Sequence, residues 1–143
     1  MTMKSDRGLN VVLIVDDEPG VRELLTRWLV PAGYAVHEAG DAEAAVEILG
    51  TLHVGVVLCD QAMPGLGGEW LISQIRDRFP HVAVILATGG NVPPRVSLQP
   101  GVVGYIGKPF SRALALSAVA DAMIWHRVTS QRRSKSSPRS ESR

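Results

Sequence analysis

The sequence predicts a doubly wound α/β domain, a parallel sheet with helices on both faces. Short β-branched runs at Val11–Val15, Val54–Leu58 and Val82–Leu86 alternate with stretches of helical periodicity. The runs are continuously apolar rather than alternating, as expected of strands buried on both faces. No internal repeat is visible.

Taken in order, Val11–Val15 is the first strand. Val21, Leu24, Leu25, Trp28 and Leu29 then follow the i, i+3, i+4, i+7, i+8 spacing of a helix with one apolar face. Pro19 suits its first turn, where a missing N–H removes no bond, and Pro31 and Gly33 punctuate its end. Tyr34–Glu38 is a weaker second strand. Asp41 is a natural N-cap for the helix carrying Ala42, Ala45, Val46 and Leu49. After the third strand, Gly68, Ile72, Ile75 and Phe79 keep helical spacing up to the fourth. Gly89 to Pro100 breaks the rhythm. Pro93, Pro94 and Pro100 remove donors and push the preceding residues off helical angles, at about 3 kcal/mol for an interior proline. A single turn is expected there, not a helix of three turns. The flank beside the last strand, Val102–Ile106, is then poorly covered, and a partner or a second copy of the chain is expected on it. Ser111 caps the final helix, whose periodic residues are Leu116, Val119, Ala120 and Met123.

A chain of 143 residues suits one domain. We place it at residues 9–127, after an extension at 1–8 and before a tail at 128–143. The tail turns to Ser, Arg and Lys with no apolar residue after Val128, which predicts disorder. Arg132, Arg133, Lys135 and Arg139 could touch an acidic partner, but a solvated tail is the commoner case. A net charge of +1 selects neither nucleic acid nor membrane. Cys59 is the lone cysteine, so no internal disulfide forms. Met1 to Asn10 has no signal-peptide core, and no apolar run nears the roughly 20 residues of a membrane span. A soluble, cytoplasmic protein is expected.

In doubly wound sheets, sites form at the carboxyl ends of the strands. The first strand ends in Asp16-Asp17, the third in Asp60, the fourth in Thr88, and the last leads to Lys108-Pro109. Each has a bland reading. Asp17 or Glu18 could simply cap a helix, Asp60 could serve the turn that follows it, Thr88 could cap backbone, and Lys-Pro is common in loops. Their joint placement on one sheet edge outweighs those readings. Three crowded carboxylates repel unless a cation joins them, and a hard dication with oxygen ligands answers that need. Together with the Lys108 ammonium, it would cancel their charge and stabilise a phosphoryl group in transfer.

Other chemistries fit poorly. Gly101 to Lys108 has the wrong glycine spacing for a phosphate loop, and Pro109 replaces its hydroxyl residue. Trp70 stands where a dinucleotide fingerprint after Gly65 and Gly67 needs glycine. His37, His53, His81 and His126 lack zinc-ligand spacing. An aspartate-based phosphatase would want an acid at position 62, where Ala62 stands. Trp28 and Trp70 read as packing residues.

The combination of Val-Asp-Asp at 15–17, Asp60 before Met63-Pro64-Gly65, Thr88, and Tyr105 with Lys108-Pro109-Phe110 resembles the response-regulator receiver family, over about residues 9 to 127. The resemblance implies a flavodoxin-like sheet of five strands in the order 2-1-3-4-5, here with the fourth helix degenerate or missing. It implies Mg²⁺ (or Mn²⁺) held by Asp16, Asp17, Asp60 and the Ala62 carbonyl. Asp60 would be the phosphorylation site and nucleophile, taking phosphate from a sensor histidine kinase or phosphotransfer protein. Lys108 would pair with the phosphoryl oxygens. Thr88 and Tyr105 would form the switch that re-shapes the face read by a downstream protein. The Lys108-Pro109 bond would be cis. Direct contact with nucleic acid or membrane is not implied, nor is enzymatic turnover beyond the domain's own phosphorylation and dephosphorylation. Ala62 and Gly90, two residues after Asp60 and Thr88, have no polar side chain to orient a water. A phosphorylation-dependent switch and a constitutive interaction module both use this fold. The intact acids, Thr88 and Lys108 favour the first.

Overall fold

The computed structural model describes residues 10–136. The order is β1 (Asn10–Val15), α1 (Pro19–Leu29), β2 (Tyr34–Ala39), α2 (Ala42–Thr51), β3 (Val56–Asp60), α3 (Gly68–Arg78), β4 (Ala83–Thr88), α4 (Pro94–Ser97), β5 (Val102–Gly107) and α5 (Arg112–Ser136). The strands pair in parallel as β2-β1-β3-β4-β5, the doubly wound order expected. The third and fourth strands begin slightly later than their apolar runs. Val54 and Val82 are buried but precede the ladder.

Alternate residues of β1 feed two cores. Val11, Leu13 and Val15 pack on one face with Ala45 and Leu49 of α2 and Leu71, Ile72 and Ile75 of α3. Val12 and Ile14 pack on the other with Leu25 and Leu29 of α1 and Ala115, Val119 and Met123 of α5. This is why the strand runs are continuously apolar, since each burial contributes on the order of 1.5–3 kcal/mol per large side chain. Trp28 and Trp70 lie partly buried against these clusters, as packing residues.

Punctuation follows the sequence. Asp41 Oδ1 accepts the Ala44 N–H and Ser111 Oγ the Leu114 N–H, so both caps form. Gly33 ends the turn between α1 and β2 at φ 103°, a region costly for other residues. The fourth helix is reduced to the four residues of α4, with Pro93 at the N-cap and Pro94 in the first turn, the positions prolines tolerate.

Two expectations about the last helix need correction. Its buried stripe is Ala115, Val119, Ala122 and Met123, while Ala120 is exposed. The helix also runs past Val128 to Ser136, through residues expected to be disordered. Neither Gly nor Pro occurs between Pro109 and Pro138, and an established helix propagates without needing apolar residues. Half-buried Thr129 adds an anchor, in a hollow shared with Trp125, Pro80 and Pro100. Residues 1–8 and Arg139 lie outside the described residues.

Candidate functional site

Strand register brings the chemistry together. Val15 pairs with Cys59, Asp60 with Ala87, and Thr88 with Gly107. Asp16, Asp60, Thr88 and Lys108 therefore emerge side by side at one sheet edge, although 92 positions separate the first from the last (16 to 108).

Asp16 and Asp60 are 2% and 5% exposed, while Asp17 is open to solvent. Each of the three offers a carboxylate oxygen, all within 4.8 Å of one another. Lys108 Nζ lies 3.3 Å from Asp60 Oδ1 and 3.7 Å from Asp16 Oδ2. Two backbone amides complete the frame. Glu18 N–H donates to Asp16 Oδ1 at 2.9 Å, and Ala62 N–H donates to Asp60 Oδ1 at 3.1 Å. Both contacts to Asp60 thus fall on Oδ1.

Burial raises the pKa of Asp16 above its ordinary value, opposed by the Glu18 amide and reinforced by the charge of Asp60. For Lys108, burial alone pulls the pKa down. The charge and hydrogen bond of Asp60, with Asp16 behind them, more than offset this and leave it raised. Cys59 is fully buried, and burial pushes its thiol far up, so it is an inert packing residue. The donor set suits Mg²⁺ or Mn²⁺. Three carboxylates less one ammonium leave two negative charges, and every donor is a hard oxygen.

Thr88 and Tyr105 make their hydrogen bonds to backbone and not to the acids. Thr88 Oγ1 donates to the Gly90 carbonyl at 2.9 Å and accepts the Gly90 N–H at 3.1 Å. Tyr105 is 47% exposed and donates its hydroxyl to the Ser97 carbonyl at 3.1 Å. Between them lies a hollow of about 320 Å³, also lined by Asn91 and Val92. The Lys108-Pro109 peptide is cis.

The sequence did not single out Arg22, whose side chain reaches the Asp16 carbonyl. Periodicity marks it only as a residue off the apolar face of α1, and nothing in the spacing signals that contact.

The family model described as response regulator receiver domain matches residues 12–120. The chain belongs to the response-regulator receiver family. It is 34% identical over 111 residues to the response regulator protein FleR of Pseudomonas aeruginosa, covering 76% of this chain and 24% of FleR. It is 40% identical over 107 residues to the transcriptional regulatory protein AruR of the same species, covering 70% of this chain and 43% of AruR. The receiver therefore spans less than half the length of these two curated relatives. Among solved structures, it is similar to the signal receiver domain of an HD domain-containing protein from Pseudomonas fluorescens, at 25% identity and TM-score 0.78. That match covers 84% of this chain and 98% of the other. The chain is thus a receiver of the two-component type, and no helix of its described residues is long and apolar enough to cross a membrane.

Proposed function

We propose that this receiver accepts a phosphoryl group on Asp60 from a phosphohistidine of a sensor histidine kinase or phosphotransfer protein. The observation that supports it most is the Lys108 ammonium set between Asp60 and Asp16, with Asp17 within metal-sharing distance.

The two contacts on Asp60 Oδ1 leave Oδ2 as the attacking oxygen. Its lone pair forms the new O–P bond while the P–N bond to the donor imidazole breaks. The imidazole keeps that electron pair and takes a proton. Bound Mg²⁺, held by Asp16, Asp17, Asp60 and the Ala62 carbonyl, would supply charge neutralisation at the phosphoryl oxygens. Lys108 then pairs with one phosphoryl oxygen. Thr88 leaves Gly90 to donate to another, and Tyr105 leaves Ser97 for the hollow behind Thr88. A ligand moves such a switch only through contacts that differ between its two states, and Lys108 and Thr88 supply them. Neither Ala62 nor Gly90 can orient a hydrolytic water. A downstream protein would read the altered face around α4 and β5, in the cytoplasm.

Incubation with acetyl phosphate and Mg²⁺, followed by intact-mass measurement, tests the assignment. One phosphoryl group should appear on the wild type and none on Asp60→Ala or in EDTA. Equal mass gain in Asp60→Ala would sink it.

A further inference from the structure

Helix α1 begins without a side-chain cap. Its N-cap is Glu18, whose side chain makes no capping bond, and Asp16 and Asp17 are committed to the acid cluster. The turn carrying two of the three carboxylates is held within itself by the Glu18 N–H on Asp16 Oδ1, and Arg22 adds a second hold from outside it. Its Nη1 donates to the Asp16 carbonyl at 2.6 Å, and its Nε donates to Glu38 Oε1 at 3.2 Å. Thr26, one helical turn further on, donates its hydroxyl to Glu38 Oε2 at 3.0 Å.

The partners close a ring. The Asp16 N–H donates to the Ala39 carbonyl at 3.1 Å, and Ala39 follows Glu38 at the end of β2. Both backbone polar groups of Asp16 are thus tied to the end of β2, the amide directly and the carbonyl through Arg22 and Glu38. Gly40 lies alongside, where a Cβ would meet Arg22 Nη1 at 3.5 Å, an ordinary van der Waals contact. The Arg22 side chain is only 19% exposed, so this is a seated contact and not a loose surface pair. Glu38 also neutralises the guanidinium, which would otherwise set an uncompensated cation beside the acids and compete with a metal.

We infer that Arg22 is a positioning residue for metal binding, holding the Asp16-Asp17 turn in the geometry that the Asp60 site requires, with Glu38 and Thr26 as its support. The inference rests on the phosphoacceptor reading only for its consequence in phosphorylation, not for its effect on the metal. Groups that orient ligands from behind typically change metal affinity 10- to 100-fold when removed, and the near end of that range is expected at a site with so few protein ligands.

The test is Mg²⁺ titration calorimetry on wild type, Arg22→Met, Arg22→Lys, Glu38→Gln and Thr26→Val. Arg22→Met should bind Mg²⁺ on the order of 10-fold more weakly. Arg22→Lys should recover part of this, because an ammonium cannot serve two acceptors in a fixed fork. Glu38→Gln and Thr26→Val should show smaller losses in that order. In EDTA the Glu18 amide should exchange faster in Arg22→Met, as its acceptor Asp16 loosens. With acetyl phosphate, the half-saturating Mg²⁺ concentration should rise while the rate at saturating Mg²⁺ stays near wild type. Unchanged Mg²⁺ affinity in Arg22→Met, with only a lowered melting temperature, would overturn the inference. Should Arg22→Met not fold, Thr26→Val decides, and full wild-type affinity there overturns it equally. A wild type that binds Mg²⁺ but gains no phosphoryl mass sinks the phosphoacceptor reading instead, and the calorimetric ranking still judges Arg22.

Discussion

The hydroxyl of Tyr105 donates to the carbonyl of Ser97, 3.1 Å away, and so ties β5 to the last residue of the single turn α4. Nearby, Arg95 pairs with Glu69 of α3 at 3.1 Å, and Gln99 Nε2 donates to the Arg95 carbonyl at 3.0 Å. Val96, 2% exposed in the core, and a few side-chain bonds thus hold the segment where a longer helix would have held itself.

Tyr105→Phe should release that tie at little cost. The bond is exposed, so stability in urea should fall by about 1 kcal/mol or less. Hydrogen exchange at the Leu98 and Gln99 amides should quicken, because their helical turn loses its anchor on β5. A loss above about 2 kcal/mol would mean that the hydroxyl is far more deeply engaged than its exposure indicates.

Lys108→Ala should weaken the metal-free fold, because Asp16 and Asp60 then face each other without a counter-charge. Breaking a fully buried pair costs about 3–5 kcal/mol, but a Lys108 side chain that is 30% exposed is partly screened, so about 1–2 kcal/mol is expected in EDTA. Mg²⁺ should restore more stability to the variant than it adds to wild type. Phosphate should still be accepted from acetyl phosphate, but binding to a downstream partner should no longer depend on it. A variant whose partner binding stays phosphate-dependent would refute the coupling role.

The raised pKa of Asp16 has a definite sign in stability. The folded protein holds this proton more tightly than the unfolded chain does. That contribution is complete below the unfolded value of 3.8 and is lost as pH rises through the higher folded value. Asp16→Asn has no proton to lose. In EDTA its stability relative to wild type should therefore climb from acid towards pH 7 and then level off. Millimolar Mg²⁺ should reverse the order at neutral pH, since only the wild type keeps the full ligand set. Thermal melts across pH, with and without Mg²⁺, read both effects. A stability difference flat with pH in EDTA would contradict the burial argument.

Gly68→Ala should destabilise the fold although alanine is the better helix former. A Cβ at this first residue of α3 would meet Gln61 Cα at 3.2 Å and the Asp60 carbonyl oxygen at 3.3 Å. Both are backbone atoms, which yield less readily than the end of a side chain. The propensity gain is at most about 1 kcal/mol, against about 1–3 kcal/mol for overpacking. Chemical denaturation should show a net loss, and phosphorylation should slow because the loop after Asp60 is displaced. A neutral or stabilising result would show that α3 can slide.

Much of this molecule is legible in local chemistry. The continuous apolar runs announce doubly covered strands, and the helical periodicity of Leu25 and Leu29 or of Ile72 and Ile75 marks the faces turned to the sheet. Pro93 and Pro94 set where α4 starts and Pro100 limits how far it can run, because a proline's effects act on itself and its neighbours. That Asp16, Asp17, Asp60 and Lys108 lie together was readable because parallel strands deliver their carboxyl ends to one edge. Tertiary structure decided the rest. The seat of α1 against β2 sets Arg22 between the Asp16 carbonyl and Glu38, a contact bridging sixteen positions that no spacing rule encodes. The rotation of α5 on the sheet buries Ala122 and exposes Ala120, though both are small and apolar. The outward pose of Tyr105 depends on where α4 places the Ser97 carbonyl. Sequence period specifies which residues can share a face, whereas the angle and depth at which elements dock decide which polar atoms come within 3 Å of one another, about the reach of a hydrogen bond.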